Sequence, residues 1–262
     1  MTVTYEVEGA VATLTLASPE SRNVLTADSM RALVAHLAAA AEDDAVRVVV
    51  LTGQGSTFCA GADLAGASSG GADSFSGSAP RDLVTLLQAI LEHPKPVVAR
   101  VQGHVAGGGN GLVAAADLAV ASESAKFAFS EVRLGVAPAV ISVVCLQRMS
   151  ASHARELLLT GERVTAQRAL EAGLLTAVAE DEALDAVVAS YVDQLLLGGP
   201  EALAATKELL RRVPAMPHDE AFTWTAELSA TLFAGDEARE GMTAFLQRRR
   251  PSWAPPERTE PT

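Results

Sequence analysis

A mixed α/β fold with an all-helical final third is what the 262-residue sequence predicts, on three observations. The chain opens on two short β-type runs, VTYEVE (3–8) and VATLTL (11–16), that meet at Gly9-Ala10 as a hairpin would. Two apolar runs with little alternation, 46–52 and 97–101, read as strands covered on both faces. Each leads through a glycine-rich turn toward a helix-patterned segment. From about residue 140 the apolar spacing is helical almost to the end.

The elements follow in order. After a loop containing Pro19 and Asn23, Thr26 can cap a helix running to about Ala41, with Met30, Leu33, Val34 and Leu37 as its apolar stripe. The 46–52 strand turns away through Gly53–Phe58. Residues 66–80, GASSGGADSFSGSAP, are rich in Gly and Ser and read as a mobile surface loop, because they hold few groups able to build a core. A helix over about 81–92 gathers Leu83, Leu86, Leu87, Ile90 and Leu91 on one side, and Pro94 and Pro96 stop it. The 97–101 strand, the Gly107-Gly108-Gly109 turn with an Ala-rich helix, and a strand over 118–121 come next. Helical segments are expected near 151–159, 165–172, 181–197, 200–212, 218–233 and 236–249, separated by Gly, Pro or polar breaks.

Composition narrows the function classes. Hydrophobic residues make up 49% and charged residues 20%, a globular mix and not a disordered one. Lys+Arg 20 against Asp+Glu 32 leaves a net charge of −12, which disfavours non-specific binding to nucleic acid or anionic membrane. A small anionic ligand held by a local site stays open. Two cysteines, Cys59 and Cys145, are too few for a disulfide framework and read as buried reduced thiols. The N-terminus MTVTYEVEGA has neither a basic n-region nor an apolar h-region, and the apolar runs are far short of a membrane span. A cytoplasmic protein is expected.

Two glycine turns are the first candidates for chemistry. Cys59-Ala60-Gly61-Ala62-Asp63 is placed after the 46–52 strand, and Gly107-Gly108-Gly109-Asn110-Gly111 after the 97–101 strand at the opening of a helix. Such a turn leaves backbone N–H groups free at a helix N-terminus, where the dipole favours negative charge. For a single turn, tight strand-to-helix packing explains the glycines equally well. Gly109-Asn110-Gly111-Leu112-Val113-Ala114 also fits the dinucleotide fingerprint G-x-G-x-x-A, with Glu131 about 20 residues on. The context does not fit, because Gln102–Gly108 intervene between strand and motif.

Glu131 stands in an otherwise apolar, turn-flanked stretch, SEVRLGVAP, near Phe127 and Phe129. Read from the residues alone, an ion pair with Arg133 is favoured over an acid/base with a raised pKa. The five histidines show no metal-ligand spacing, and His104, before the triple glycine, reads as packed. Cys59 has no nameable His partner and reads as a small core residue. The Arg248-Arg249-Arg250 run reads as a solvated helix end.

At these residues a family pattern emerges. SPESRNVLT, VLTGQGSTFCAGADL, KPVVARVQGHVAGGGNGLVAAADLAVAS, FAFSEVRLGVAPAVIS, LLLTGERVTAQRALEAGLL and EGMTAFLQRRRPSW resemble, in order and nearly end to end, the crotonase (enoyl-CoA hydratase/isomerase) superfamily. The resemblance implies a spiral of ββα units (core, 1–195) and a C-terminal helical oligomerisation region (196–262) of the same extended domain, building a homotrimer or a homohexamer. It implies an acyl-CoA thioester substrate and no cofactor or metal, coenzyme A being part of the substrate. By motif, the backbone N–H groups of Ala62 and Gly108 would form an oxyanion hole for the thioester oxygen. Glu131 would be the catalytic carboxylate. Ala60, Gly61, Asp63, Leu64, Gly107, Gly111 and Pro138 would line the substrate, with Asp63 and the 66–80 loop bordering the acyl channel. Arg22 is a candidate for the coenzyme A phosphates, and a C-terminal Arg from a neighbouring subunit is another.

Two-carboxylate hydratases carry a further glutamate in the helix after the triple glycine, and that position here is Gly111. Single-glutamate members include Δ3,Δ2-enoyl-CoA isomerases. Dienoyl-CoA isomerases use an additional Asp, whose place is taken by Ala139. The pair GNGLVAAADLAVAS and SEVRLGVAPAVIS most resembles the hydratase branch near methylglutaconyl-CoA hydratases. The expectation is therefore a hydratase adding water across a 2-enoyl-CoA. The isomerase and a catalytically degenerate acyl-CoA-binding protein are the alternatives.

Overall fold

A computed structural model describes residues 2–62 and 79–255. Strands β1 (Val3–Glu8) and β2 (Val11–Leu16) form the expected antiparallel hairpin, with Glu8 opposite Val11. Helix α1 (Ala27–Glu42) starts at a capping box: Thr26 Oγ1 accepts from the Ser29 N–H, and Ser29 Oγ accepts from the Thr26 N–H. Its buried face carries Met30, Leu33 and Leu37, while Val34 packs half-buried beside them.

Strand β3 (Val48–Gly53) begins two residues later than the sequence suggested and is buried throughout. It is followed by β4 (Thr57–Cys59), then α2 (Ala79–Leu91), β5 (Val97–Val101) and β6 (His104–Ala106). Next come α3 (Gly108–Ala115), β7 (Leu118–Ser122), β8 (Lys126–Ala128) and α4 (Ala139–Arg148), which precedes the first helix expected near 151. The chain continues through α5 (Ala151–Thr160), β9 (Arg163–Thr165), α6 (Ala166–Glu171) and β10 (Ala177–Ala179). It closes on α7 (Leu184–Leu197), α8 (Pro200–Arg212), α9 (His218–Ala234) and α10 (Asp236–Gln247).

The strands sort into two sheets, ordered β1-β2-β3-β5-β7-β10 and β4-β6-β8-β9. Consecutive pairs β3/β4, β5/β6 and β7/β8 each give one strand to each sheet, so the chain winds as repeated strand–strand–helix turns. Within each sheet these successive strands pair in parallel. The second-sheet strands are three residues long. That is too short for an alternation signal, which is why the sequence pattern passed over them.

Apolar side chains fill both sides of the first sheet. On one side Leu14, Val49, Leu51, Val97 and Ala99 join the main core with Phe58, Leu112, Phe127 and Phe129. On the other, Val48, Val50, Val98 and Val120 meet Leu184, Val188, Val192 and Leu196 of α7. This two-sided cover is the cause of the unbroken apolar run in β3, and each fully buried Val or Leu contributes about 1.5–3 kcal/mol. Helix α8 is tied down by an ion pair: Lys207 Nζ lies 2.6 Å from Asp117 Oδ2, and that carboxylate also accepts from the Val97 N–H at 2.7 Å. The final helices leave large apolar groups uncovered, Phe222 and Phe233 on α9 and Phe245 and Leu246 on α10. The triple arginine is more structured than a solvated end: Arg248 closes α10 in a left-handed conformation, and Arg249 folds back onto Glu240 at 2.6 Å. Among the described residues no helix is long and apolar enough to cross a membrane.

Candidate active site

Three segments that carry the sequence's candidate residues leave the same edge of the second sheet. Strands β4, β6 and β8 are neighbours in parallel register, Cys59 beside Val105 and Val105 beside Phe127. Their C-terminal ends therefore deliver Ala60–Ala62, Gly107–Gly108 and Glu131 to one place. Here the structure corrects the reading of the chain. The glycine turns do not follow the long strands of the first sheet; each follows a short strand of the second.

Backbone meets backbone at this edge. Gly61 has φ +86°, and a Cβ on it would stand 2.8 Å from the Ala106 carbonyl oxygen and 3.2 Å from the Gly108 nitrogen. Only glycine supplies both the left-handed conformation and the clearance. The Gly61 carbonyl accepts from the Leu25 N–H at 2.7 Å, and the Arg22 carbonyl accepts from the Ala60 N–H at 3.1 Å. Arg22 itself is exposed, in a left-handed conformation with φ 57°. Buried Asn23 fixes this loop: its Oδ1 accepts from the Ser18 N–H at 2.9 Å, and its Nδ2 donates to the Thr57 carbonyl at 2.7 Å. The sequence named Asn23 only as a loop residue; its left-handed φ of 54° next to Arg22 marks it as structural.

Gly107, with φ +49°, is the N-cap of α3, and Gly108 is the first helical residue. Among the described residues neither the Gly108 N–H nor the Ala62 N–H has an acceptor. Two such amides, one of them at a helix N-terminus, can receive a developing oxyanion without reorganising.

Glu131 faces this turn, with Oε1 3.5 Å from where a Gly107 Cβ would lie. Its Oε2 is buried with no hydrogen-bond partner. Burial pushes the carboxyl above the usual carboxylate range, partly offset by its own backbone N–H. The favoured ion pair with Arg133 is overturned. Glu131 and Arg133 share a 3₁₀ turn, Ser130–Leu134, in which a spacing of two residues points side chains to different faces. Arg133 Nε instead donates to the Thr160 carbonyl at 3.0 Å.

The position where two-carboxylate relatives place a glutamate is filled by hydrocarbon. A Cβ on Gly111 would collide with Ile141 Cγ2 at 2.6 Å and touch Leu87 Cδ2 at 3.4 Å. Leu25 and Leu83 border Gly108 in the same way, at 3.0 and 3.7 Å from its Cβ position. Ile141 stands in the first turn of α4, whose N-cap is the half-buried Pro138. Sequence reasoning passed over Ile141 because nothing local links it to Gly111.

Asn110 is the other residue whose role was missed. Fully buried in apolar α3, it donates through Nδ2 to the Ala128 carbonyl at 2.8 Å, while its Oδ1 has no partner. A buried acceptor left this way costs about 1–3 kcal/mol. A polar residue inside the run GLVAAA's helix was the available signal.

The remaining candidates fall outside the centre. Asp63, Leu64 and nearly all of the 66–80 loop lie outside the described residues. His104 is exposed on β6, not packed as read from the sequence. Cys59 and Cys145 are buried and free, and burial pushes both thiols up to about 12, so they stay protonated at neutral pH. Among the described residues no cluster of His, Cys, Asp or Glu could hold a metal ion.

Comparison with known proteins gives the family. The Enoyl-CoA hydratase/isomerase family model matches residues 6–256. Enoyl-CoA hydratase EchA19 of Mycobacterium tuberculosis is 34% identical over 95% of this chain and 94% of its own. The (E)-benzylidenesuccinyl-CoA hydratase of Thauera aromatica is 33% identical over 97% and 99%. Among solved structures, an enoyl-CoA hydratase/isomerase from Marinobacter aquaeolei superposes with a TM-score of 0.90 at 35% identity, covering 97% of this chain and 99% of that one. The chain belongs to the enoyl-CoA hydratase/isomerase family, the crotonase superfamily, and has its fold of mixed α/β core and C-terminal helices.

Proposed function

We propose that the protein is an enoyl-CoA hydratase that works with one glutamate. The observation that carries this reading is the unpaired, half-buried Glu131 carboxyl set against the Gly107–Gly108 turn. The Ala62 and Gly108 N–H groups hold the thioester oxygen as it gains negative charge. Glu131 takes a proton from water, the water oxygen bonds to Cβ, and the electron pair of the Cα–Cβ bond moves onto the thioester as an enolate. Glu131 then returns the proton to Cα, so that water has added across the double bond. Losing one oxyanion donor typically costs about 10²–10³ in rate. Coenzyme A belongs to the substrate, and Arg22, exposed and with its carbonyl bonded to the Ala60 N–H, is the side chain proposed to meet its phosphates.

A second reading is a Δ3,Δ2-isomerase. It is favoured by the hydrocarbon over Gly111, which leaves no second carboxylate among the described residues there to share the water. Incubating the protein with 2-enoyl-, 3-enoyl- and 3-methylglutaconyl-CoA and weighing the products decides between them. A mass gain of one water on a 2-enoyl thioester is the hydratase result. A double-bond shift in 3-enoyl-CoA without mass change is the isomerase result. Binding with neither leaves an acyl-CoA-binding protein.

The apolar faces of α9 and α10 support a trimer or a pair of trimers. Phe222, Phe245 and Leu246 are each about three-quarters or more exposed, at 74%, 83% and 81%, a pattern that marks an interaction surface.

A further inference from the structure

We infer that Asn110 is a positioning residue that sets the distance between the oxyanion donor and the base. This rests on the hydratase reading above. The geometry is short and direct. Asn110 sits in the first turn of α3, two residues after Gly108, and its Nδ2 donates to the Ala128 carbonyl at 2.8 Å. The same carbonyl accepts from the Gly107 N–H at 3.2 Å, the last rung of the β6–β8 ladder. Ala128 lies three residues before Glu131. The carboxamide therefore clamps the strand end that carries the base to the helix turn that carries the donor.

Stability alone does not account for an amide here. Every residue of α3 is buried, and the Asn110 neighbours Leu112, Val113, Ala114 and Ala115 are apolar. Ala128 already has a donor in Gly107, so removing the amide orphans no carbonyl. The side chain also leaves its own oxygen buried without a partner. An apolar side chain would carry no such penalty. What it would lose is the clamp. Displacements of about 1 Å between reacting groups can cost about 10²-fold in rate while leaving binding intact.

The test compares wild type with Asn110→Leu and Asn110→Ala, both of which lose the donor, on crotonyl-CoA. The expected result in both variants is a kcat lowered about 10- to 100-fold with KM within about twofold, measured at a temperature where each variant is fully folded. Amide hydrogen exchange at Val136 and Gly135, which close the turn onto the Glu131 and Val132 carbonyls, is expected to quicken in both variants. Unchanged kcat and unchanged exchange at these amides overturn the inference. So does a rate loss accounted for by unfolded protein. A wild type that hydrates no enoyl-CoA would overturn the hydratase reading instead, and the exchange measurement would still decide whether Asn110 holds the Glu131 segment.

Discussion

Glu131 carries two opposed consequences of one environment. Burial raises its pKa, so the folded protein holds this proton to a higher pH than the unfolded chain does. Its contribution favours folding most below the ordinary carboxyl value of 4.5 and is lost as pH rises from there through the raised folded value. Glu131→Gln is expected to melt above wild type at pH 7, with the gap closing near pH 4; thermal scans across that range check the sign. The same substitution should lower hydration about 10²–10⁴-fold, read as loss of enoyl absorbance. Hydration by wild type should rise with pH through the raised value, since the base must be ionised. At Gly111 the collision with Ile141 makes a simple restoration fail. Gly111→Glu alone is expected to cost about 1–3 kcal/mol by overpacking, read as a lowered melting temperature. Gly111 was legible in the sequence as a departure. That Ile141 occupies its space was not, because 30 residues separate the two and only packing joins them.

At the scale of elements, the site exists because β4, β6 and β8 are parallel neighbours whose C-terminal ends point the same way. The long strands β3 and β5 were visible as apolar runs, since cover on both faces forces such a composition. The three-residue strands were invisible, so both glycine turns were attached to the wrong sheet. The hairpin and the capped helix α1 were legible because their signals are local: a glycine at the turn, a threonine at the cap, a periodic stripe. The join between α8 and the sheet rests on a partly buried charge pair, Lys207 with Asp117. Burial lowers the Lys207 pKa although Asp117 opposes this, so the pair offsets its own desolvation only in part. Asp117→Asn would leave the ammonium enclosed without its counter-charge, and is expected to cost about 3 kcal/mol or more in urea denaturation. Asp117→Asn with Lys207→Met, which keeps an acceptor for the Val97 N–H, should cost less, and this separates the pair's net worth from the penalty of breaking it.

Over the whole molecule, the net charge of −12 and the proposed anionic substrate are reconciled by locality. In the proposed site two backbone amides and an exposed arginine would act at a few ångströms, whereas the overall field is a weak term beyond about 8–10 Å of screening. The uncovered phenylalanines of α9 and α10 set the expectation for assembly. Wild type should sediment as a trimer or larger, and Phe222→Asp with Phe245→Asp should shift it toward monomer. The sequence by itself determined the class of elements, the helical final third, the family and which residues are candidates for the site. Each of these is written in local spacing, in composition or in an ordered set of motifs. Tertiary structure alone decided which strand each glycine turn follows, that Glu131 makes no ion pair with Arg133, that Ile141 fills the space above Gly111, and that Asn110 and Gly107 share the Ala128 carbonyl. Those are contacts between segments distant along the chain, and no local pattern encodes a distance between two parts that meet only when the sheets form.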